Sequence, residues 1–179
     1  MKFTTVKLLL FVAILLAAQF VKCDGYVWYV MANFEPTSTV VQGISVSSLD
    51  QSWVLARCLT KKDVPQKGMK NFEKFDVPLG FAFEKQGDFN CDGKPDKAVV
   101  GVYKDKKGDT GRFLLILTKK QHKWVKSYLF KNPGRPGFNI LESSKYGLKW
   151  CFCMECGNCT LVKWEKDHFV LIVSDDEVP

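Results

Sequence analysis

From Gly80 onward the chain alternates short apolar runs with polar punctuation, at lengths that suit strands better than helices. Residues 98–103 (Ala-Val-Val-Gly-Val-Tyr) are apolar at both parities, which predicts a central strand covered on both faces. A Gly/Asp turn at residues 107–111 leads into the strand run Arg112 to Thr118. Gln121-His122 marks the next turn. Beyond it Trp124, Lys126 and Tyr128 alternate with Val125, Ser127 and Leu129, the period-two signature of a strand. Asn132-Pro-Gly-Arg-Pro-Gly137 must loop. Leu148 to Phe152, Leu161 to Trp164 and His168 to Val173 complete the strand set, the last two forming a hairpin about Asp167. One segment reads as helix. Ser48-x-x-Gln51 is a capping box, and Leu49, Trp53 and Ala56 follow at helical spacing, which predicts a helix from Ser48 to Leu59. The fold class is therefore mainly β, an antiparallel sheet or small β-sandwich with one packed helix.

The N-terminus changes the accounting. Lys2 and Lys7 precede and enter an apolar run over residues 8–18, followed by small residues, the pattern of a secretory signal peptide. The run is short for a membrane span. Cleavage is expected after Ala18 or Cys23, so residues 1–23 are assigned to targeting and 24–179 to one β-rich domain. That segment carries three lysines and no acid, so the net charge of +7 falls to +4 in the remainder. The lysines left over cluster at turns and suit a solvated hairpin end, not a nucleic-acid surface. The expected location is secreted or periplasmic, with no membrane span in the mature chain.

Asp88-Phe-Asn-Cys-Asp-Gly-Lys-Pro-Asp96 holds the most specific chemistry. Side-chain oxygens from Asp88, Asn90, Asp92 and Asp96 fall at loop positions 1, 3, 5 and 9, and Gly93 at position 6 allows the sharp turn. With the Lys94 carbonyl, this spacing wraps a hard cation such as Ca²⁺. Position 12 is Val99, not the bidentate Glu of an EF-hand, and a strand follows where that motif has a helix. The loop and strand resemble those of FG-GAP repeats, also called VCBS-type repeats, over about Phe81 to Leu117. The resemblance implies a calcium loop at a strand start and a role in binding, since such modules occur in adhesive proteins. Cys91 stands where the repeat usually has Gly, and the loop occurs once, whereas a propeller needs at least about four blades.

Cysteine usage agrees with export. Without Cys23 the chain keeps six: Cys58, Cys91, Cys151, Cys153, Cys156 and Cys159, an even set that reads as disulfides. Two other readings compete for the cluster at 151–159: a zinc knuckle, from the Cys-x₂-Cys spacing, and a redox-active Cys153/Cys156 pair. Asn158-Cys-Thr160 also matches an N-glycosylation acceptor.

No catalytic set emerges. His122 and His168 lie far apart beside predicted turns, no Gly-x-Ser-x-Gly elbow is present, and no glycine-rich phosphate cradle precedes a helix. Of the tryptophans at 28, 53, 124, 150 and 164, most are expected in the core, and an exposed one could serve a glycan. Two functions follow. One is a calcium-stabilised, disulfide-bonded binding or structural module with a protein or glycan partner. The other is an exported enzyme, either a thiol–disulfide oxidoreductase using Cys153 and Cys156 or a hydrolase.

Overall fold

The structure, a computed structural model, describes residues 28–144, 147–154 and 157–173. The signal-peptide reading of residues 1–23 lies outside them. In chain order the elements are α1 (Trp28–Met31), β1 (Val40–Val41), β2 (Ile44–Ser45), α2 (Val46–Leu49) and β3 (Trp53–Cys58). A 3₁₀ turn at Lys61–Asp63, α3 (Gln66–Asn71) and a π-helical turn at Phe72–Asp76 follow. Then come β4 (Phe81–Ala82), β5 (Glu84–Gly87), β6 (Asp96–Asp105), β7 (Thr110–Lys120), β8 (Lys123–Pro133), β9 (Ile140–Ser144), β10 (Gly147–Cys151), β11 (Cys159–Glu165) and β12 (His168–Val173).

Two antiparallel sheets carry the fold. The first runs β3-β6-β7-β8, with β5 sharing the β3 edge of β6; the second runs β12-β11-β10-β9-β4. β6 is central, as its pattern predicts. Along one edge β5 pairs residues 96–99 and β3 pairs residues 101–105, while β7 pairs the other edge throughout. Its alternate residues serve two cores. Ala98, Val100 and Val102, with Leu114 and Ile116 of β7, meet Ile140, Leu148, Trp150, Val162 and Phe169 of the second sheet. Val99 and Tyr103, with Phe113, Leu115 and Leu117, meet Val41, Val46, Leu49, Trp53 and Ala56 on the opposite face. Each such aliphatic side chain contributes about 1.5–3 kcal/mol by burial.

The predicted helix from Ser48 to Leu59 is corrected. Helix is confined to the single turn Val46–Leu49, and Trp53–Cys58 is a strand. The cause is a β-bulge: Trp53 pairs Asp105 and Leu55 pairs Lys104, so Val54 is an extra residue. One inserted residue turns the i, i+2 spacing of a strand face into i, i+3. Trp53 and Ala56 thus both enter the core, at 1% and 0% exposure, and imitate helical periodicity. The capping box is not used: Ser48 lies inside the turn, and the N-cap Ser45 makes no side-chain cap hydrogen bond. Asp50 instead closes the turn, accepting from Ser52 N at 2.8 Å and from Ser52 Oγ at 2.6 Å.

Asp50 also ties this segment to β8 through Lys131 Nζ at 2.6 Å. Partial burial works against its ionised form, but Lys131 and the Ser52 hydrogen bonds prevail and hold it at about pKa 2. A depressed folded-state pKa stabilises above the unfolded value and is lost as pH falls through the folded one. Wild-type stability is therefore expected to decline between about pH 4 and pH 2, in part through this group. Asp50→Asn should flatten that part of the profile. Urea midpoints at pH 5 and pH 2.5 check it, and an unchanged slope in the variant would exclude the assignment.

Candidate functional site

The acidic loop connects β5 to β6, whose end residues Gly87 and Asp96 are register partners. Asp88 leaves the end of one strand and Asp96 opens the other, so the hairpin fixes both ends of the motif. Within it, carboxylate and amide oxygens accept backbone N–H groups. Asp88 Oδ1 takes Asp92 N at 3.0 Å and Asp88 Oδ2 takes Gly93 N at 2.9 Å. Asn90 Oδ1 also takes Asp92 N, at 3.1 Å, and Asp92 Oδ1 takes Lys94 N at 2.8 Å. Gly93 adopts φ 79°, the conformation its lack of a β-carbon permits. Cys91 sits at φ 58°, so a side chain occupies a left-handed position that suits glycine.

Asp96 is the anchor. It is fully buried, accepting from Thr118 Oγ1 of β7 at 2.7 Å and from Phe89 N at 3.1 Å. Burial pushes its carboxyl above the ordinary aspartate value; the hydrogen bonds from Thr118, Phe89 N and Asn90 N oppose the shift and the Asp92 charge adds to it. Asp88, Asn90, Asp92 and Lys94 are more open to solvent. The donor set is entirely oxygen, and the backbone already follows a tight loop. These properties fit a hard cation of the Ca²⁺ type. The three carboxylates are not drawn into one tight cluster, however. Among the described residues, the set of three metal-type side chains with ligand atoms within 4.8 Å of one another is Glu142, Cys151 and Cys159.

That second set is built on a cystine. Cys151 of β10 and Cys159 of β11 are register partners, bridged at S–S 2.03 Å with Cα atoms 4.0 Å apart. Cys153 is disulfide-bonded as well. Cys156, the other half of the predicted redox pair, lies outside the described residues. The remaining two bridge candidates are corrected: Cys58 and Cys91 are free thiols. Cys58 is half-buried against the core, which pushes its thiol up to about 11, and Gln42 Nε2 approaches its sulfur at 3.8 Å. Cys91 is exposed in the acidic loop, so no bridge braces that loop. Closing eight residues of chain, the Cys151–Cys159 bridge should contribute about 2–3 kcal/mol. The double variant Cys151→Ser/Cys159→Ser should lose that amount in chemical denaturation, and an unchanged midpoint would deny the bridge a stabilising role.

Glu142 is the site residue the sequence did not single out. On β9 it pairs with Lys149 of β10, two residues from Cys151, and so shares a sheet face with the cystine. Its Oε2 lies 3.8 Å from the Cys151 sulfur and 3.9 Å from the Cys159 sulfur. Disulfide sulfurs have no proton, so these are contacts and not hydrogen bonds. Lys149 Nζ lies 3.8 Å from the same oxygen. Only strand register brings together residues so far apart in sequence.

The other candidates lie apart from both sites. His122 and His168 are exposed at hairpin turns; His168 Nδ1 contacts only Lys166 O, at 3.1 Å, among the described hydrogen bonds. Asn158 is exposed, and its carbonyl accepts from Phe152 N. Trp53 and Trp150 are buried, as expected of core aromatics. Trp124 is partly exposed, with the Lys97 and Lys119 ammonium groups 5.2 and 6.0 Å from its ring. No helix among the described residues is long and apolar enough to cross a membrane. No family model matches the chain, and no curated protein and no solved structure is similar to it.

Proposed function

We propose that the mature chain is an exported, calcium-stabilised, disulfide-bonded binding or structural module without catalysis, related in its loop to FG-GAP/VCBS-type repeats. The observation that carries the reading is the acidic loop itself. Asp88, Asn90, Asp92 and Asp96 are pre-bent by backbone amides around Gly93, and Asp96 is locked to β7 by Thr118. Oxygen ligands on a hairpin stiffened in this way suit a structural cation, with the Lys94 carbonyl in the ligand set. A cystine between paired strands suits an oxidising compartment.

The partner is a protein or a glycan. The connection from β8 to β9 offers a firm surface for it: Arg135 Nε donates to Asn33 Oδ1 at 2.6 Å, and Phe34 N donates to Pro136 O at 2.8 Å. Rigid loops on a β-scaffold are a common platform for recognition. The test is a turnover screen on the calcium-loaded, oxidised protein with glycoside, ester, phosphate-ester and insulin-reduction substrates, beside a glycan array. Binding without turnover is expected. Turnover lost in Cys153→Ser, or in Asp92→Ala, would replace this reading with the oxidoreductase or the hydrolase.

A further inference from the structure

We propose that Cys151, Cys159 and Glu142 form a redox-gated site for Zn²⁺, closed in the oxidised protein and opened by a dithiol reductant. The argument starts from the second sheet. Strand register places Cys151, Cys159, Glu142 and Lys149 on one face of β9, β10 and β11. The three ligand atoms lie within 4.8 Å of one another, and Glu142 Oε2 is nearly equidistant from the two sulfurs. A cavity of about 280 Å³ opens onto this group, lined by Leu79, Phe81, Met154 and Leu161 around Glu142 and Cys159. An ion therefore has both a ligand set and an approach.

The chemistry selects the ion. Two thiolates and one carboxylate make a mixed soft and hard set that suits Zn²⁺ and suits Ca²⁺ poorly. Three protein ligands would leave a tetrahedral ion one position for water. Charge agrees: the reduced, deprotonated site carries three negative charges, the Lys149 ammonium beside Glu142 and the Lys85 ammonium that also interacts with it offset only part of them, and a divalent cation offsets the rest. The gate is covalent. A dithiol reduces the Cys151–Cys159 bond, delivering two electrons and two protons and leaving as its own disulfide. Zinc binding then releases both thiol protons to solvent. While the bridge is intact neither sulfur is a thiolate, and the site is shut.

The experiment titrates Co²⁺ and then Zn²⁺ into the full mature chain, oxidised and after dithiothreitol treatment, with the reductant removed under argon. The reduced protein should show thiolate-to-cobalt charge-transfer absorption saturating at one equivalent and abolished by one equivalent of Zn²⁺. The oxidised protein should show none. Glu142→Gln should weaken Zn²⁺ binding at least about tenfold, since even outer-shell changes cost 10- to 100-fold. Cys153→Ser should bind as the parent does. Absence of the band in the reduced parent overturns the proposal without recourse to any variant. Equal affinity in Glu142→Gln, or loss of binding in Cys153→Ser, moves the site elsewhere in the cysteine-rich segment and overturns it too. None of these results bears on the acidic loop, which joins β5 to β6 in the other sheet.

Discussion

Gly101→Val is expected to leave no folded protein. Gly101 lies mid-strand on β6, between Cys58 of β3 and Phe113 of β7. A β-carbon there would stand 2.2 Å from the Arg57 carbonyl oxygen and 2.5 Å from Phe113 Cζ. The first obstacle is decisive. A ring can turn away, but the Arg57 carbonyl belongs to the strand paired beside it and moves only if β3 moves. The Gly101 carbonyl also accepts from the buried Asn139 side chain at 3.2 Å, which in turn accepts from Trp150 Nε1 at 3.0 Å. Displacing the backbone would therefore disturb the polar link between the two sheets. Overpacking costs about 1–3 kcal/mol where side chains can adjust, and more where they cannot. Gly101→Ala should lose about 3 kcal/mol or more, and valine adds two further methyl groups to a site with no room for one. Against a total stability of about 5–15 kcal/mol, that is enough to unfold a domain of this size. Phe113→Ala should not rescue Gly101→Ala, because the carbonyl contact remains. A Gly101→Ala protein that melts with the parent would show that β3 does not hold this register.

This contact explains a position that the sequence shows only as a gap in an apolar run. Much else in the sheets was legible. The two-sided apolar character of residues 98–103 predicted a central strand, and β6 lies between covered faces. Hairpins were legible too, although their turn residues are unusual. Gln121-His122 and Lys166-Asp167 all take positive φ without a glycine, as tight two-residue connections require. What failed was any feature set by contacts across the fold. The bulge at Val54 disguised a strand as a helix. The helical stretch at Gln66–Asn71 gave no clear signal, because Gly68 is there for packing: a β-carbon would meet the Trp28 ring at 2.7 Å. The acidic loop was legible because its oxygen side chains fall within nine consecutive residues. The Glu142 cluster was not, because it comes from three strands.

Calcium at 10 mM is expected to raise the melting temperature by about 5–10 °C, and that response should vanish in Asp92→Ala. Extracellular loops of this kind bind at about 10⁻⁴ to 10⁻³ M. At the tighter end, a hundredfold excess of ligand over Kd contributes about 2.7 kcal/mol, and a domain of this size gains about 2–4 °C per kcal/mol. Asp96 sharpens the test because its two roles separate. Without calcium its carboxylate is a buried anion supported only by Thr118, Phe89 and its neighbours, and burial disfavours the charge. Asp96→Asn removes the charge and keeps one oxygen acceptor, so the calcium-free protein should be as stable as the parent or slightly more so. With calcium the order should reverse, since the variant has lost a charged ligand. Asp96→Ala should be destabilised in both conditions, because it strands the Thr118 hydroxyl and the Phe89 N–H. Magnesium at equal concentration should give a much smaller shift, as it demands a tighter octahedral shell. The same calcium shift in the parent and in Asp92→Ala would sink the calcium assignment. A stability order that stays the same for Asp96→Asn with and without calcium would remove Asp96 from the ligand set and leave it a purely structural residue.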